Sequence, residues 1–376
     1  MARNPLRWAV HLSALILVAL WVLPTAGLLV TSFRDRDQIA ASGWWTALSA
    51  SAQKQMFRAP EGDGEEQEGA AFVLRGSVFA GGAGEVEAFG FSSKKPDAFR
   101  PGEIADLGQG VSLSVAADGA FVLSGPHSFK GQRGQRIFYT ATVPPRFTVA
   151  NYRSVLLAEG LGRSFLNSLT VAVPSTVIPI LVAAFAAYAL SWMRFPGRSL
   201  LIAGVVALLV VPLQMSLIPL LRIYNTVGQA LGVDPKSYVG IWLAHTGFGM
   251  PLAIYLLRNS ISGLPREIIE SARIDGASEL QIFSRIVLPL SFPALASFAI
   301  FQFLWTWNDL LVALVFLGPQ DDKLVLTGRL VNLLGSRGGD WDVLAASAFV
   351  SIAVPILVFF TLQRYLVRGL LAGSVK

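Results

Sequence analysis

Two long apolar runs of this chain are separated by a polar, turn-containing stretch, Glu270-Ser271-Ala272-Arg273-Ile274-Asp275-Gly276-Ala277. It is followed by Phe283, Leu288-Pro289-Leu290 and Pro293. Unpaired backbone polar groups are not tolerated in hydrocarbon, so such a break lies outside the lipid or lines a protected cavity. The stretch therefore indicates a structured loop between two membrane spans.

The composition agrees with a membrane location. The 376 residues are 53% hydrophobic and 14% charged, whereas a soluble domain carries about 25% charge. The net charge of +6 does not indicate nucleic-acid binding, because Lys and Arg lie at the ends of apolar runs rather than on one basic face. The chain has no cysteine, which excludes disulfides and thiolate chemistry. Its three histidines are scattered, so no metal-ligand spacing is present.

The apolar runs predict six membrane spans, since a run of about 20 residues crosses a bilayer. They cover about residues 8–33, 165–192, 200–221, 238–257, 288–317 and 343–366. The alternative for the first run is a signal peptide, because Arg3 and Arg7 precede it. Its apolar length exceeds the usual signal core and no small-residue cleavage site interrupts it. We therefore predict that this span is retained.

The distribution of basic residues predicts the orientation. Cytoplasmic loops are enriched in Lys and Arg, and here the enriched segments precede span 1, connect spans 2 and 3, connect spans 4 and 5, and follow span 6. By parity they share one side of the membrane. We predict that both termini are cytoplasmic and that the long segment between spans 1 and 2 is extracytoplasmic.

That long segment has a different character from the spans. Residues 60–66 are acidic and Gly-rich, which is typical of a mobile loop. From about residue 69 to 142, short alternating runs predict strands, and Ala117-Asp118-Gly119 predicts a hairpin turn. We thus divide the chain into a first span (1–33), a β-rich insert (34–149) and a five-helix core (150–376) that contains the loop 259–287. The insert is either a docking module for an extracytoplasmic partner or a decoration that stabilises the mouth of the protein.

The loop itself predicts two short helices joined at a glycine. Pro265 fits a first helical turn, and Gly276 allows a sharp reversal through either a positive φ or a close backbone approach. We expect Asp275 to cap a second helix of about residues 277–287. Physical reasoning leaves two roles open: a knob that fills a pocket on another protein, and an amphipathic loop that rests on lipid headgroups.

This loop resembles the EAA loop of ABC importer permeases, whose pattern is E-A-A-x-x-D-G-A, then F, then L-P-L-x-x-P. Further likeness to the maltose-type (MalG-like) permeases lies in Phe147-Thr148-Val149-Ala150-Asn151-Tyr152, Phe165-Leu166-Asn167-Ser168-Leu169, Trp307-Asn308-Asp309 and the tail 369–376. The enlarged first extracytoplasmic loop is similar to that of the alpha-glucoside (AglG-like) branch. The resemblance implies an all-α polytopic membrane protein of the type I ABC importer permease fold, with six transmembrane helices and an inserted extracytoplasmic β-rich domain.

The resemblance also implies partners in a bacterial inner membrane. They are a MalF-like permease subunit, two MalK-like ATPase subunits, an extracytoplasmic sugar-binding protein and the membrane lipid; nucleic acid is not among them. The chain lacks the Gly-x-x-x-x-Gly-Lys-Ser/Thr phosphate loop. It is therefore expected to be a translocation subunit without enzymatic activity or a cofactor of its own, with ATP and Mg held by the ATPases.

Three sets of site residues follow from the resemblance and from the cost of polar groups in membranes. The ATPase-coupling set is Glu270, Ser271, Ala272, Asp275, Gly276, Ala277 and Phe283. The translocation-path or gating set is Gln302, Asn308 and Asp309, for which we favour structural bonding and gating. The set that reaches the binding protein is Gly335, Ser336, Arg337 and Gly338, and the tail is expected to contact the ATPase pair. No catalytic or metal-ligating residue is predicted, and His245 is interpreted as a helix-packing histidine with satisfied hydrogen bonds.

The expected cargo is a sugar, such as an alpha-glucoside, maltose or trehalose, with other oligosaccharides or a polyol as alternatives. Two other functions remain as alternatives. A stand-alone secondary transporter would need buried charge relays or internal repeats, and a membrane sensor would need a cytoplasmic output domain. Neither feature is evident in the sequence.

Overall fold

The computed structural model describes residues 5–79, 82–157 and 159–374, with side chains described from residue 6 to 365 within these ranges. The chain divides into two compact units. The first comprises Met1–Asn151 with Gly339–Ala346, and the second comprises Tyr152–Gly338 with Ser347–Lys376. We call them the N-terminal unit and the helical unit.

The N-terminal unit begins with helices and continues as β structure. The helices are α1 (Pro5–Ser32) and α2 (Arg36–Ala41), followed by a 3-10 turn, Trp44–Thr46. The strands are β1 (Ser51–Arg58), β2 (Glu66–Glu68), β3 (Ala71–Ser77), β4 (Glu85–Gly90), β5 (Ile104–Gly108), β6 (Val111–Val115), β7 (Ala120–Gly125) and β8 (Arg136–Val143). They form two antiparallel sheets, β1-β8-β4 and β2-β3-β7-β6-β5.

Both sheets contribute to one apolar core. Ile137, Tyr139 and Ala141 alternate inward along β8, and they share a buried cluster with Leu113 and Phe121 of the other sheet. The prediction of strands in this region is confirmed, but β1 begins well before residue 69, so the predicted start was too late. The strand was missed because the run Ser51–Arg58 is mostly polar and lacks a clear alternation.

The hairpin between β6 and β7 forms as the sequence predicts. Gly119 has φ +83°, and the Asp118 carboxylate accepts a hydrogen bond from the Ala120 amide at 3.0 Å. The predicted mobile loop at residues 60–66 is instead fastened to the β structure. The Glu65 side chain is 5% exposed and accepts hydrogen bonds from the Ser128 hydroxyl and, at 2.8 Å, from the Phe129 amide. The acidic, Gly-rich composition led to the prediction of a mobile loop. Composition alone does not show that one carboxylate of this run, that of Glu65, is buried.

The end of α1 is joined to the segment that follows the strands. Asn151 donates from Nδ2 to the carbonyls of Ser32 and Arg34, both at 2.9 Å, and the Thr148 amide donates to the Phe33 carbonyl at 2.6 Å. Carbonyls at a helix end have no intrahelical partner. Asn151 belongs to the motif 147–152 that resembles the maltose-type permeases. Its side-chain amide therefore supplies hydrogen-bond donors to carbonyls at and just after the end of α1.

The remaining helices follow residue 149. They are α3 (Ala150–Leu157), α4 (Leu161–Trp192), α5 (Arg198–Leu208), α6 (Leu213–Leu231), α7 (Tyr238–Ser262), α8 (Arg266–Ile274), α9 (Glu279–Ile282), α10 (Leu288–Leu290), α11 (Phe292–Trp307), α12 (Leu311–Phe316), α13 (Leu326–Ser336) and α14 (Trp341–Ser374). A π-helical turn, Phe283–Val287, links α9 to α10.

Four helices in the described chain are long and apolar enough to cross a membrane: α1, α4, α7 and α14. Two bent pairs raise the number to six if each pair is one span. The predicted third span is thus not one straight helix, because α5 and α6 meet at an angle of 108°. Pro212, which precedes α6, explains the break, since proline lacks an amide hydrogen and disfavours helix in the residue before it.

The predicted fifth span is broken twice. The segment Glu279–Leu290, whose last three residues fall in the predicted span, is bent by 70° from Phe292–Trp307. Pro293 lies at this bend, where its ring would clash with the carbonyl four residues earlier. The helix then ends at Trp307, so Asn308 and Asp309 lie between α11 and α12 rather than within a continuous span. The Asp309 carboxylate accepts a hydrogen bond from the Ala313 amide at 3.1 Å, and such local bonding competes with helix continuation.

Candidate functional site

The loop between α7 and α11 begins with a short helix that ends in a defined cap. In α8 the acidic Glu267 lies in the first turn and Arg273 in the last, the charge order that a helix dipole favours. After the helix, Gly276 has φ +81°, its amide donates to the Arg273 carbonyl at 3.1 Å, and the Ala277 amide donates to the Ala272 carbonyl at 3.0 Å. These two bonds form a Schellman cap. Of the two geometries predicted for Gly276, the structure shows the positive φ.

The next helix starts from a different residue than predicted. Ser278 is the N-cap of α9, and it forms a capping box with Gln281, in which the Ser278 amide donates to Gln281 Oε1 at 2.8 Å. Asp275 is instead the C-cap of α8. The expectation that Asp275 caps the second helix was wrong, because two residues, Gly276 and Ala277, are used in the reversal before the new helix starts.

The second helix is also shorter than predicted. It ends at Ile282 and continues as the π turn Phe283–Val287, where the Leu288 amide donates to the Phe283 carbonyl, five residues earlier. Pro289 has no amide hydrogen to offer the carbonyl four residues before it. The wider turn is a way to absorb this defect, and such π turns are frequent at functional sites.

One side of the loop is buried against the membrane helices. Ile269, Ala272, Ile282 and Phe283 belong to a core cluster that also contains residues of α4 and α7. The Phe283 ring stacks on Phe185 of α4 with the ring centres 4.5 Å apart. Of the predicted coupling set, Ala272 and Phe283 therefore hold the loop to the protein and do not face outward.

A polar contact fixes the loop to the end of α4. Glu279 accepts hydrogen bonds from the Tyr188 hydroxyl and, at 3.0 Å, from Arg273 Nε. The bond to Glu279 raises the pKa of the Arg273 guanidinium above its ordinary value. Sequence reasoning missed Tyr188 and Glu279, because the acid and base lie six positions apart across a reversal, outside the helical spacings that signal a pair.

The other side of the loop is exposed. Glu270, Ser271, Asp275 and Gly276 are exposed, and Ala277 is half-buried. Two apolar tips stand beside them, with Ile274 86% and Leu280 65% exposed. An exposed apolar residue rimmed by charges is typical of a protein-binding surface. The exposed side of the loop therefore combines charged residues of both signs with two apolar side chains.

The gating candidates separate into different environments. Gln302 is 2% exposed and donates from Nε2 to the Ser175 carbonyl of α4 at 3.0 Å. Its amide also lies against Gly249 of α7, where an added Cβ would be 2.6 Å from Oε1. Gln302 therefore joins three helices. Asn308, the C-cap of α11, is exposed, and its Nδ2 donates to the Leu304 carbonyl of that helix.

Asp309 lies next to a buried histidine. His245 of α7 is fully buried, and its Nε2 is 3.9 Å from Asp309 Oδ2. Among the described residues neither ring nitrogen of His245 has a hydrogen-bond partner. The prediction of a packing histidine with satisfied hydrogen bonds was therefore wrong in its hydrogen bonding, because Asp309 Oδ2, at 3.9 Å, is too far away to accept a hydrogen bond.

The predicted binding-protein loop is an ordered helix end rather than a loose loop. Gly335 and Ser336 are the last residues of α13, and Arg337 is its C-cap. The Arg337 guanidinium forms an ion pair with Glu159 at 2.9 Å. Gly335 to Gly338 are exposed. The side chains of the tail 369–376, predicted to contact the ATPases, lie outside the described residues. Within the described chain, no group of three His, Cys, Asp or Glu residues could hold a metal ion.

The sequence profile of one protein family matches residues 161–371, more than half of the chain. Its description is "Binding-protein-dependent transport system inner membrane component". The chain belongs to this family. The permease is therefore a membrane component of a transport system that works with a binding protein.

Individual members of transport systems are also similar to this chain. The permease is 69% identical to the alpha-glucoside transport system permease protein AglG of Rhizobium meliloti, over 100% of this chain and 98% of that protein. It is 58% identical to the osmoprotective compounds uptake permease protein GgtD of Synechocystis, over 64% and 79% of the two chains, and 33% identical to the trehalose transport system permease protein SugB of Mycobacterium tuberculosis, over 62% and 84%. The AglG match spans the full chain, so the similarity to that relative includes the sequence of the N-terminal unit.

Among solved structures, a bacterial ABC transporter that imports the acidic polysaccharide alginate matches with a TM-score of 0.48 and 22% identity. The match covers 59% of the permease and 81% of that chain. The family match covers residues 161–371, so the helical unit has the type I ABC importer permease fold.

Proposed function

We propose that this permease forms one half of the transmembrane pathway of an ATP-driven importer for an alpha-glucoside. The pathway is completed by a MalF-like subunit, powered by two MalK-like ATPases and supplied by an extracytoplasmic sugar-binding protein. The substrate class is supported by the 69% identity to AglG over the whole chain. Membership of the transport family favours this function over a stand-alone secondary transporter or a sensor.

The observation that carries the coupling role is the two-sided construction of the loop. Ile269, Ala272 and Phe283 fix it to the helical core, while Glu270 and the tips Ile274 and Leu280 are exposed. A part that transmits force must be stiff on the side of its own protein and complementary on the side of its partner. The Schellman cap, the capping box and the Glu279 contacts supply that stiffness.

The orientation follows from the same role. The loop meets cytoplasmic ATPases, so the chain before α1 and after α14 is also cytoplasmic and the β-rich insert is extracytoplasmic. Gln302 of α11 and Asp309, between α11 and α12, act as structural and gating groups. Gly335 to Gly338, at the end of α13, face the binding protein.

The test is reconstitution of the importer. The permease would be co-expressed with its candidate partners, purified through a tag on this subunit, and assayed for ATPase activity with the binding protein and a panel of sugars. We expect the partner ATPase to co-purify and an alpha-glucoside to give the strongest stimulation. Purification of the permease without an ATPase would contradict the proposal.

A matched pair of variants tests the loop. Ile274→Ser removes an exposed apolar tip of the knob, and Ile104→Ser makes the same change at a residue of β5 that is 72% exposed. We expect the loop variant to lose about tenfold or more in ATPase association, as for a central interface residue worth about 1.4 kcal/mol or more. The β5 variant should assemble normally. Equal association of both variants would show that the tip does not contact the ATPase.

A further inference from the structure

The first turns of α4 carry a polar face that is buried under α13. Ser164, Asn167 and Ser168 are spaced by three and four residues, so they lie on one side of the helix. All three are buried, with at most 9% exposure. Buried polar groups in a membrane protein need partners, and these side chains find theirs on α13 and on the segment that leads into it.

Asn167 uses its entire amide. Its Nδ2 donates to the carbonyls of Asp322 and Leu324 at 2.9 and 3.0 Å, and its Oδ1 accepts from the Tyr238 hydroxyl at 2.9 Å. Only the NH₂ end of an amide can donate to two carbonyls, so its orientation is determined. Asn167 therefore holds the chain immediately before α13 in one position.

Ser168 and Ser164 continue the attachment along α13. Ser168 Oγ accepts from the Leu326 amide at 2.8 Å, and Leu326 is the first residue of α13, whose own N-cap residue, Val325, provides no side-chain bond. The start of α13 is thus capped by another helix. Further along, Arg329 Nε lies 3.4 Å from Ser164 Oγ.

The far end of α13 is held from the same side. Arg337 pairs with Glu159, two residues before α4 begins. Other elements also contact α13, since Thr327 donates to the Asp309 carbonyl at 2.9 Å. Residues 159–168 nevertheless contact α13 at three places: at its start, near its middle and at its end. The bond between Thr327 and Asp309 reaches it at one place only.

The other end of α4 contacts the loop 259–287, which we call the coupling loop. The helix has 32 residues, which corresponds to about 48 Å. Near its far end Tyr188 donates to Glu279, and the Trp192 indole donates to the Ile261 carbonyl at 3.2 Å. One helix, with Pro174 and Pro179 in its interior, therefore contacts α13 at one end and the coupling loop near the other.

We propose that Asn167 is a positioning residue that, with Ser168, keeps α13 in register with α4 during transport. This inference rests on the proposed function, in which α13 lies on the side of the sugar-binding protein.

The absence of native cysteine makes a direct distance measurement possible. Arg163→Cys on α4 and Val331→Cys on α13 place spin labels at exposed positions of the assembled, nucleotide-free importer and of the same importer trapped with ATP and vanadate. We expect one narrow distance that is the same in both states. A distance that changes between the two states would overturn the proposal.

Function is tested with Asn167→Asp, which replaces two donors by a carboxylate facing two carbonyls. We expect a broadened label distance and at least a fivefold loss of binding-protein-stimulated ATPase activity, the lower end of typical coupling strengths, with basal ATPase activity retained. Ser168→Ala, a milder variant, should shift both readouts in the same direction. The control is Thr170→Val, because the exposed Thr170 hydroxyl bonds only to Leu166 of its own helix.

The outcomes separate the two proposals. If the unmodified importer shows no ATPase association or no stimulation, the proposed function fails. If the unmodified importer is stimulated and Asn167→Asp and Ser168→Ala keep full stimulation with a narrow distance, Asn167 is not a positioning residue and this inference fails.

Discussion

The small residues of the loop motif have a common geometric reason. In the cap that ends α8, the Ala277 amide bonds to the Ala272 carbonyl, so these two residues come together at the reversal while Gly276 supplies the left-handed backbone. Ala272 is buried and Ala277 packs against the same cluster. Larger side chains at either alanine would separate the loop from the helices that hold it.

Gly276→Ala is expected to weaken the loop through the backbone alone. An added Cβ would meet no atom within 4 Å, but φ is +81°, and an L-residue in the left-handed region costs about 1–2 kcal/mol. Gly276→Asn should cost less, because asparagine tolerates this region. Amide hydrogen exchange across residues 266–287 measures the effect. Equal exchange in the glycine and alanine proteins would contradict the explanation.

Gly249→Ala is expected to disturb the contact among α4, α7 and α11. The new methyl group would lie 2.6 Å from the Gln302 amide, and overpacking a buried site costs about 1–3 kcal/mol. Gly247→Ala is the control, since a Cβ there meets no atom within 4 Å. Thermal unfolding in detergent should show a lower midpoint for Gly249→Ala than for Gly247→Ala. Identical midpoints would mean that Gln302 moves aside without loss.

At this scale the sequence predicts backbone requirements better than side-chain directions. The positive φ of Gly276 follows from glycine at a reversal, whereas the inward direction of Phe283 depends on α4, a helix about ninety residues earlier in the chain. Likewise Ser278, not Asp275, caps α9, because the length of the Schellman cap decides where the next helix starts. The roles of the predicted site residues in binding partners stay predictions.

At the scale of elements, hydropathy located the apolar runs but not their breaks. Averaging over a window of about 20 residues conceals the bend at Pro212 and the end of α11 at Trp307. Both breaks have local causes, a missing amide hydrogen in one and the Asp309 carboxylate in the other. Such causes are visible in the sequence only when each proline and aspartate within an apolar run is considered individually.

The β-rich insert offers an element whose stability depends on pH. Bonds from Ser128 and Phe129 hold the pKa of Glu65 below its ordinary value. A carboxylate with a lowered pKa stabilises the fold fully above its ordinary pKa of about 4.3, and this stabilisation is lost as the pH falls through the lower folded value. Exchange of the Phe129 amide, relative to its intrinsic rate, should therefore rise as the pH falls below about 4.3.

Glu65→Gln isolates that contribution. The glutamine cannot titrate, so protection of the Phe129 amide should be weaker at neutral pH and nearly independent of pH. Glu61→Gln, a change at an exposed neighbour, should leave the pH dependence intact. A pH dependence that persists in Glu65→Gln would assign the effect to another group.

At the scale of the whole molecule, the orientation gives a direct prediction. Ser93→Cys lies in the insert and Ser262→Cys at the end of α7, and both positions are exposed in a chain without native cysteine. A membrane-impermeant maleimide should label Ser93→Cys in intact spheroplasts and Ser262→Cys only after permeabilisation. The reverse labelling pattern would place the coupling loop outside the cell and exclude cytoplasmic ATPases as its partners.

The first helix has a consequence for the life of the protein in the cell. Only 6% of the most apolar window of α1 is buried within the described chain, so under the proposed function most of its surface contacts lipid and the partner subunit. A newly made copy without its partner would present this surface to the proteases that remove orphan membrane proteins. We expect the half-life of the chain, followed by pulse labelling, to lengthen when the partner subunit is co-expressed. Degradation of the unpaired chain would then keep the amounts of the two membrane subunits equal, even where they are synthesised at different rates.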